Sequence, residues 1–128
     1  MINDNISDMI SRIKNGTKAK LSSIAVKKTK ITIIVLQILY KNGYIRGYQV
    51  NTMNDLIIVD LKYNKNKSVI QNFCRVSTPG RRIYITSKAL YKLNLPIGFF
   101  ILSTSKGILT SSDAKLKFIG GEVLCHIL

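Results

Sequence analysis

The run Asn64-Lys65-Asn66-Lys67-Ser68 has almost no apolar content, and it divides a chain of 128 residues into two halves with different hydrophobic patterns. Such a segment does not belong in a core and reads as an exposed connection. Each half must then bury an apolar face of its own. The expected class is α+β with two small domains. Residues 1–66 read as an N-terminal α-β-α-β-β domain, and residues 67–128 as a C-terminal, mostly β domain with a short helix. With 46% hydrophobic residues there is material for both cores.

In the first half Ile2, Ile6, Met9, Ile10 and Ile13 fall on one face at helical spacing, Asp4 and Asp8 occupy the early turns, and Asn15-Gly16 reads as the stop. Arg12, Lys14, Lys18 and Lys20 would project a basic rim from the end of this helix, although the same residues also fit a solvated face. Ser23–Lys27 alternates as a short strand. Thr29 is placed to cap a second helix running through Tyr40 and ended by Asn42-Gly43, with its β-branched residues leaving a strand open as the alternative. Lys28 and Lys30 flank that cap and join the basic positions expected to face a polyanion. Residues 44–50 and 56–63 read as a hairpin joined by the polar segment 51–55.

In the second half residues 69–76 and 83–86 read as strands about the turn Ser77-Thr78-Pro79-Gly80, and Ser87 as the cap of a short helix through Leu93. Pro96 and Gly98 end that helix. Residues 99–102 form a strand of the buried type, residues 111–117 a helical turn, and residues 122–128 a final strand after Gly120-Gly121.

Charge narrows the function. Twenty Lys and Arg against six acids give +14, which argues for a polyanionic partner, nucleic acid first and anionic membrane second. No apolar run approaches the roughly 20 residues that span a bilayer, so no membrane span is expected, and of the two polyanions nucleic acid is the expected partner and a membrane is not. One His, two Cys and six scattered carboxylates are a thin inventory for catalysis. Cys125 and His126 are adjacent and point to opposite faces of a strand, so they do not chelate one ion, and neither a metal nor a cofactor is expected. Phosphate-loop and dinucleotide fingerprints are missing from the sequence, and no small-molecule substrate is expected. Cys74 and Cys125 lie in apolar runs and read as buried hydrophobes, not as a disulfide framework.

Two segments carry binding chemistry. Ser103-Thr104-Ser105-Lys106-Gly107 follows an apolar strand and gathers three hydroxyls, an ammonium and a glycine in one turn. Hydroxyls reach base edges and 2′-hydroxyls, Lys neutralises phosphate, and Gly permits close backbone approach. Taken alone, the pentapeptide is equally an ordinary polar turn. Ser105 and Lys106 are adjacent, whereas a nucleophile and its base must converge in space, so an enzymatic reading of the pair fails. The second segment joins Arg75 with Arg81, Arg82 and Tyr84 around Pro79-Gly80, placing guanidinium forks and an aromatic ring on a hairpin turn. The competing readings of this chemistry are a specific RNA binder and a generic nucleic-acid-binding module.

The order and spacing of these motifs resemble the small-subunit ribosomal protein eight family in its bacterial and organellar form. The likeness runs through residues 8–16, 75–84 and 102–110 and closes on Gly120-Gly121-Glu122-Val123-Leu124-Cys125. The resemblance implies an N-terminal α/β domain, a C-terminal mostly β domain, and binding of the latter to the central domain of small-subunit ribosomal RNA during assembly. It implies neighbouring small-subunit ribosomal proteins as further partners. It also implies that Thr104 and Ser105, with Ser103, read a splayed base arrangement, that Lys106 meets phosphate, that Glu122 accepts from a base amino group, and that Tyr84 lines the same surface. The chain departs from the family pattern at residues 111–118, where the usual basic, Ala-rich helix is weaker, and at Leu95-Pro96-Ile97, where the usual glycines are missing.

Residue choice bears on the compartment. Twenty Ile, fifteen Lys and ten Asn against four Ala and five Arg suit an AT-rich genome. Residues 1–11 include two Asp and no Arg, unlike a transit peptide. We therefore expect an organelle-encoded protein of the mitochondrial ribosome, with a plastid or a bacterial cytoplasm as alternatives.

Overall fold

A computed structural model describes residues 4–50, 53–78, 80–93 and 98–128. Ile2, Asn51, Thr52, Pro79 and Leu95-Pro96-Ile97, which figured in the expectations above, lie outside the described residues. The chain is α+β and separates into two compact units, residues 1–71 and 72–128.

In the first unit, α1 (Asp4–Lys18) buries Ile6, Met9, Ile10 and Ile13, the spacing that made the segment legible as a helix. It does not stop at Asn15-Gly16. A Cβ on Gly16 would come within 2.6 Å of the Ile24 Cγ2 and 3.1 Å of the Leu61 Cδ1, so this glycine allows close packing inside the helix and does not terminate it. The helix runs on to Lys18 and is closed just beyond by Lys20, which takes a left-handed φ of 58°, while the Leu21 amide donates to the Gly16 carbonyl at 2.9 Å.

β1 (Ser23–Lys27) leads to α2 (Lys30–Lys41), where Thr29 and Thr32 cap each other reciprocally. Burial of Thr32, Val35, Leu36 and Leu39 at helical spacing decides against the strand alternative. Asn42 closes the helix and Gly43 follows with φ +80°. β2 (Ile45–Val50) and β3 (Leu56–Leu61) form the expected hairpin, and β1 pairs with the far edge of β3, giving the antiparallel order β1-β3-β2. Both helices pack on the face that carries Val26, Ile57, Val59 and Leu61.

The polar run proves structured. β4 (Tyr63–Asn64) and β5 (Lys67–Ser68) make a two-residue-turn ribbon within the first unit, with Lys65 and Asn66 at φ 53° and 66°. Paired left-handed residues of this kind match the twist of the flanking strands.

The second unit is a sheet built around β10 (Gly121–Ile127). That strand pairs with β6 (Phe73–Arg75), β7 (Tyr84–Ile85) and β8 (Phe99–Thr104), and β8 pairs in turn with β9 (Gly107–Thr110), all antiparallel. The strand expected over 69–76 is shortened to Phe73–Arg75 at its start, where the Val69 amide bonds back to the Lys62 carbonyl at 3.1 Å, while the Val76 and Ser77 amides still donate to the Leu124 and Val123 carbonyls of β10. α3 (Ser87–Lys92) is capped by Thr86 and not by Ser87, and α4 (Ser111–Leu116) by Thr110. Leu90 of α3 and Ala114 of α4 close over Leu102 and Val123 to form the core.

Candidate nucleic-acid interface

The segment Ser103 to Gly107 is the end of the β8–β9 hairpin. Ser103 and Thr104 belong to β8, Ser105 and Lys106 are the exposed two-residue tip, and Gly107 opens β9 with φ +105°, a backbone conformation that disfavours a side chain. The hydroxyls are not equivalent. Thr104 donates to the Gly107 carbonyl at 2.8 Å and accepts the Lys106 amide at 3.1 Å, so its one proton is committed to the turn. Ser105 sits at the tip itself and is exposed.

Residues distant in sequence meet beside this tip. Glu122 on β10 stands opposite Ser103 on one side and opposite Tyr84 on the other. Directly paired residues of antiparallel strands project from the same face, so Tyr84, Glu122 and Ser103 make one row across three strands. Tyr84 is 69% exposed. The Glu122 side chain is only 13% exposed, and its carboxylate receives the Arg82 Nη1 at 3.1 and 3.3 Å on its two oxygens. A carboxylate offers about four lone-pair sites, so Glu122 keeps acceptor capacity while Arg82 offsets its charge.

The row depends on Gly120-Gly121. A Cβ on Gly120 would fall against the Ile85 carbonyl oxygen and one on Gly121 against the Ser103 carbonyl oxygen, so β10 can slide between β7 and β8 only without side chains there.

Arg75 and Arg81 hold the loop between β6 and β7. The Arg75 Nε donates to the Ser77 carbonyl, and Thr78 and Arg81 exchange backbone hydrogen bonds at 3.0 and 3.1 Å, leaving the Arg81 side chain exposed. Ser77 was not singled out in the sequence, yet it is fully buried and its hydroxyl both donates to the Ile83 carbonyl (3.2 Å) and accepts the Ile83 amide (3.0 Å). The available signal was a Ser just before a Pro-Gly turn, where local side-chain to backbone bonding is common.

The remaining predicted residues belong to the first unit. Arg12 is tied along α1 to Asp8 (3.0 Å) and across to the Ala25 carbonyl (3.4 Å), so part of its charge is neutralised. Lys14 and Lys18 lie exposed one turn apart on α1, Lys30 is exposed at the start of α2, and Lys28 is half-buried with its amide on the Asp55 carbonyl at 2.7 Å.

The cysteines are free thiols. Burial pushes the Cys125 thiol up to about 12, against the opposing pull of the Arg75 charge, which keeps it protonated and unreactive near neutrality. Its neighbour His126 turns the other way, with its ring 4.9 Å from that of Phe100.

The family model for ribosomal protein S8 matches residues 4–128. The chain belongs to the ribosomal protein S8 family. Among its relatives, small ribosomal subunit protein uS8 of Rhizobium rhizogenes is 41% identical, covering 97% of this chain and 96% of the relative. Small ribosomal subunit protein uS8m of Acanthamoeba castellanii is 44% identical over 95% and 97% of the two chains, and uS8c of Chlorella vulgaris 40% identical over 99% of each. As a member of the family the chain is an RNA-binding, structural constituent of the small ribosomal subunit.

Proposed function

We propose that the rim of the second unit, the Tyr84–Glu122–Ser103 row together with the Ser105-Lys106 tip, binds the central domain of small-subunit ribosomal RNA and holds it folded during assembly and translation. The row carries this reading, because it sets a shielded acceptor between an exposed ring and a hydroxyl, the mixture that suits splayed-out bases. Ser105 and Ser103 specify. Thr104 fixes the shape of the tip, and Lys106, Arg81 and the basic residues Arg12, Lys14, Lys18, Lys28 and Lys30 neutralise phosphate. The role is structural and not enzymatic, and neighbouring small-subunit proteins complete the environment. The chain works in a mitochondrial ribosome, a placement supported by its AT-rich residue usage and matched by a plastid or bacterial setting as alternatives, since relatives occur in all three.

The test is binding of the full chain to a central-domain RNA stem across a salt series. For about 5 to 10 phosphate contacts, affinity falls by several log units per decade of salt. Ser105→Ala lowers affinity for this stem by about 1 to 3 kcal/mol while non-specific binding persists. Equal loss on all RNAs refutes readout by the tip. Cofractionation with small subunits from mitochondria tests the compartment.

A further inference from the structure

The stacked pair Tyr91 and Phe118 takes no part in the rim described above. Tyr91 lies on α3 and Phe118 just beyond α4, with ring centroids 6.1 Å apart and planes inclined by 23°. Aromatic pairs ordinarily form as they leave water, yet these two residues remain 61% and 71% exposed, with Leu116 also exposed. Phe118 is moreover held at φ 55°. It occupies the position after the helix cap, where its own amide donates to the Lys115 carbonyl at 3.2 Å and the Ile119 amide to the Ala114 carbonyl at 3.1 Å. Glycine takes this helix-ending conformation freely, and a bulky residue adopts it only at a steric cost. The fold thus keeps an aromatic ring in a strained backbone position and leaves its face in solvent, which stability does not explain.

The surroundings are basic. The Lys115 Nζ lies 5.9 Å from the Tyr91 ring centroid while donating to the Leu93 carbonyl at 2.9 Å. Lys117 directly precedes Phe118, Lys88 precedes Tyr91 by three residues on α3 and so shares its side of the helix, and Lys92 follows Tyr91; these three are exposed. The single acid on the two helices is Asp113, in the first turn of α4, at the end away from Phe118.

We propose that Tyr91 and Phe118 form a stacking site for an unpaired RNA base, with Lys88, Lys92, Lys115 and Lys117 on the flanking phosphates. Every base has a π face, so the site tolerates any sequence, unlike the hairpin tip. Four lysines around two rings favour nucleic acid over a protein partner, because the centres of protein interfaces are depleted in Lys. The inference rests on the RNA-binding reading above only for the class of its ligand.

The experiment uses the full chain, a short unstructured oligouridylate, and the central-domain stem as a second ligand. Phe118→Gly relieves the backbone strain and so preserves the fold, and Tyr91→Ala removes the other ring. Each lowers oligouridylate affinity by about fivefold or more, the range expected for loss of one stacked base. Stem affinity stays at the parent value in both, which also reports that the fold is intact. Photocrosslinking of the same oligomer carrying 4-thiouridine maps to Tyr91 or Phe118. Parental oligouridylate affinity in both variants overturns the proposal, as do crosslinks confined to other residues. Loss of association with a neighbouring ribosomal protein at unchanged oligouridylate affinity also overturns it and assigns the pair to protein docking. Ser105→Ala run in parallel separates the two readings: unchanged stem affinity there removes the tip, while the effect of Phe118→Gly on oligouridylate judges the stacking site alone.

Discussion

Thr104→Val isolates what the hairpin tip owes to its internal hydrogen bonds. Valine keeps the branched shape and the strand preference of threonine but removes one donor and one acceptor. The two bonds lost run to the Gly107 carbonyl (2.8 Å) and from the Lys106 amide (3.1 Å), and both are exposed. A net hydrogen bond contributes about 0.5 to 1.5 kcal/mol, with exposed pairs near the bottom of that range, so the tip should loosen by about 1 kcal/mol. If RNA binds only the ordered tip, loosening by about 1 kcal/mol shifts the ordering equilibrium roughly fivefold and lowers apparent affinity by up to about fivefold, as the ordered fraction falls. Ser105→Ala should do the reverse, leaving the tip ordered and weakening the stem complex directly. Amide exchange at Lys106 reports the ordering, and titration of the stem RNA reports the affinity. Faster Lys106 exchange and weaker binding should appear together in Thr104→Val. In Ser105→Ala only the affinity should change. Unchanged exchange in Thr104→Val, or loosening in Ser105→Ala, would refute the division of roles between the two hydroxyls.

Other outcomes test the frame that carries the rim. Ser77→Ala strands the half-buried backbone amide of Ile83, whose carbonyl keeps the Val123 amide at 2.9 Å, and should destabilise the chain by about 1 to 2 kcal/mol in urea unfolding. Gly16→Ala should cost about 1 to 3 kcal/mol through overpacking against Ile24 and Leu61; a stabilised variant would mean that the position is only a poor helix former. At pH 8 iodoacetamide should label the half-buried Cys74 and spare Cys125 until the protein unfolds, as read by mass spectrometry. Because the folded Cys125 thiol is raised from 9.0 to about 12, its contribution to stability is complete below pH 9 and is lost as pH climbs toward 12. Cys125→Ala should therefore show a shallower alkaline loss of stability than the parent.

Periodicity made α1, α2 and the β2–β3 hairpin legible, since Ile6, Met9, Ile10 and Ile13, and then Val35, Leu36 and Leu39, repeat at the spacing of a buried helix face. The same reasoning misjudged Gly16, because a glycine needed for contact with a strand far along the chain looks identical to one that ends a helix. It also missed β9, whose Gly-Ile-Leu-Thr has too few residues to display alternation and is specified by its pairing with β8. The composition of the tip was plain in the sequence. The internal commitment of Thr104 was not, since it follows from turn geometry that places one hydroxyl between an amide and a carbonyl. Nor could local patterns bring Tyr84, Ser103 and Glu122 into one row, which takes the antiparallel registers of two strand pairs.

The position of β10 has a consequence for the order in which the molecule can be made. It follows β6, β7, β8 and β9 in sequence yet pairs with the first three, and it carries the middle residue of the row proposed to face RNA. A growing chain that has reached residue 120 holds the hairpin tip, which is local, but neither the row nor the salt bridge from Arg82. General affinity for phosphate would then arise early in synthesis, while discrimination between RNAs would arrive in one step, as residues 121–127 insert between strands already waiting for them.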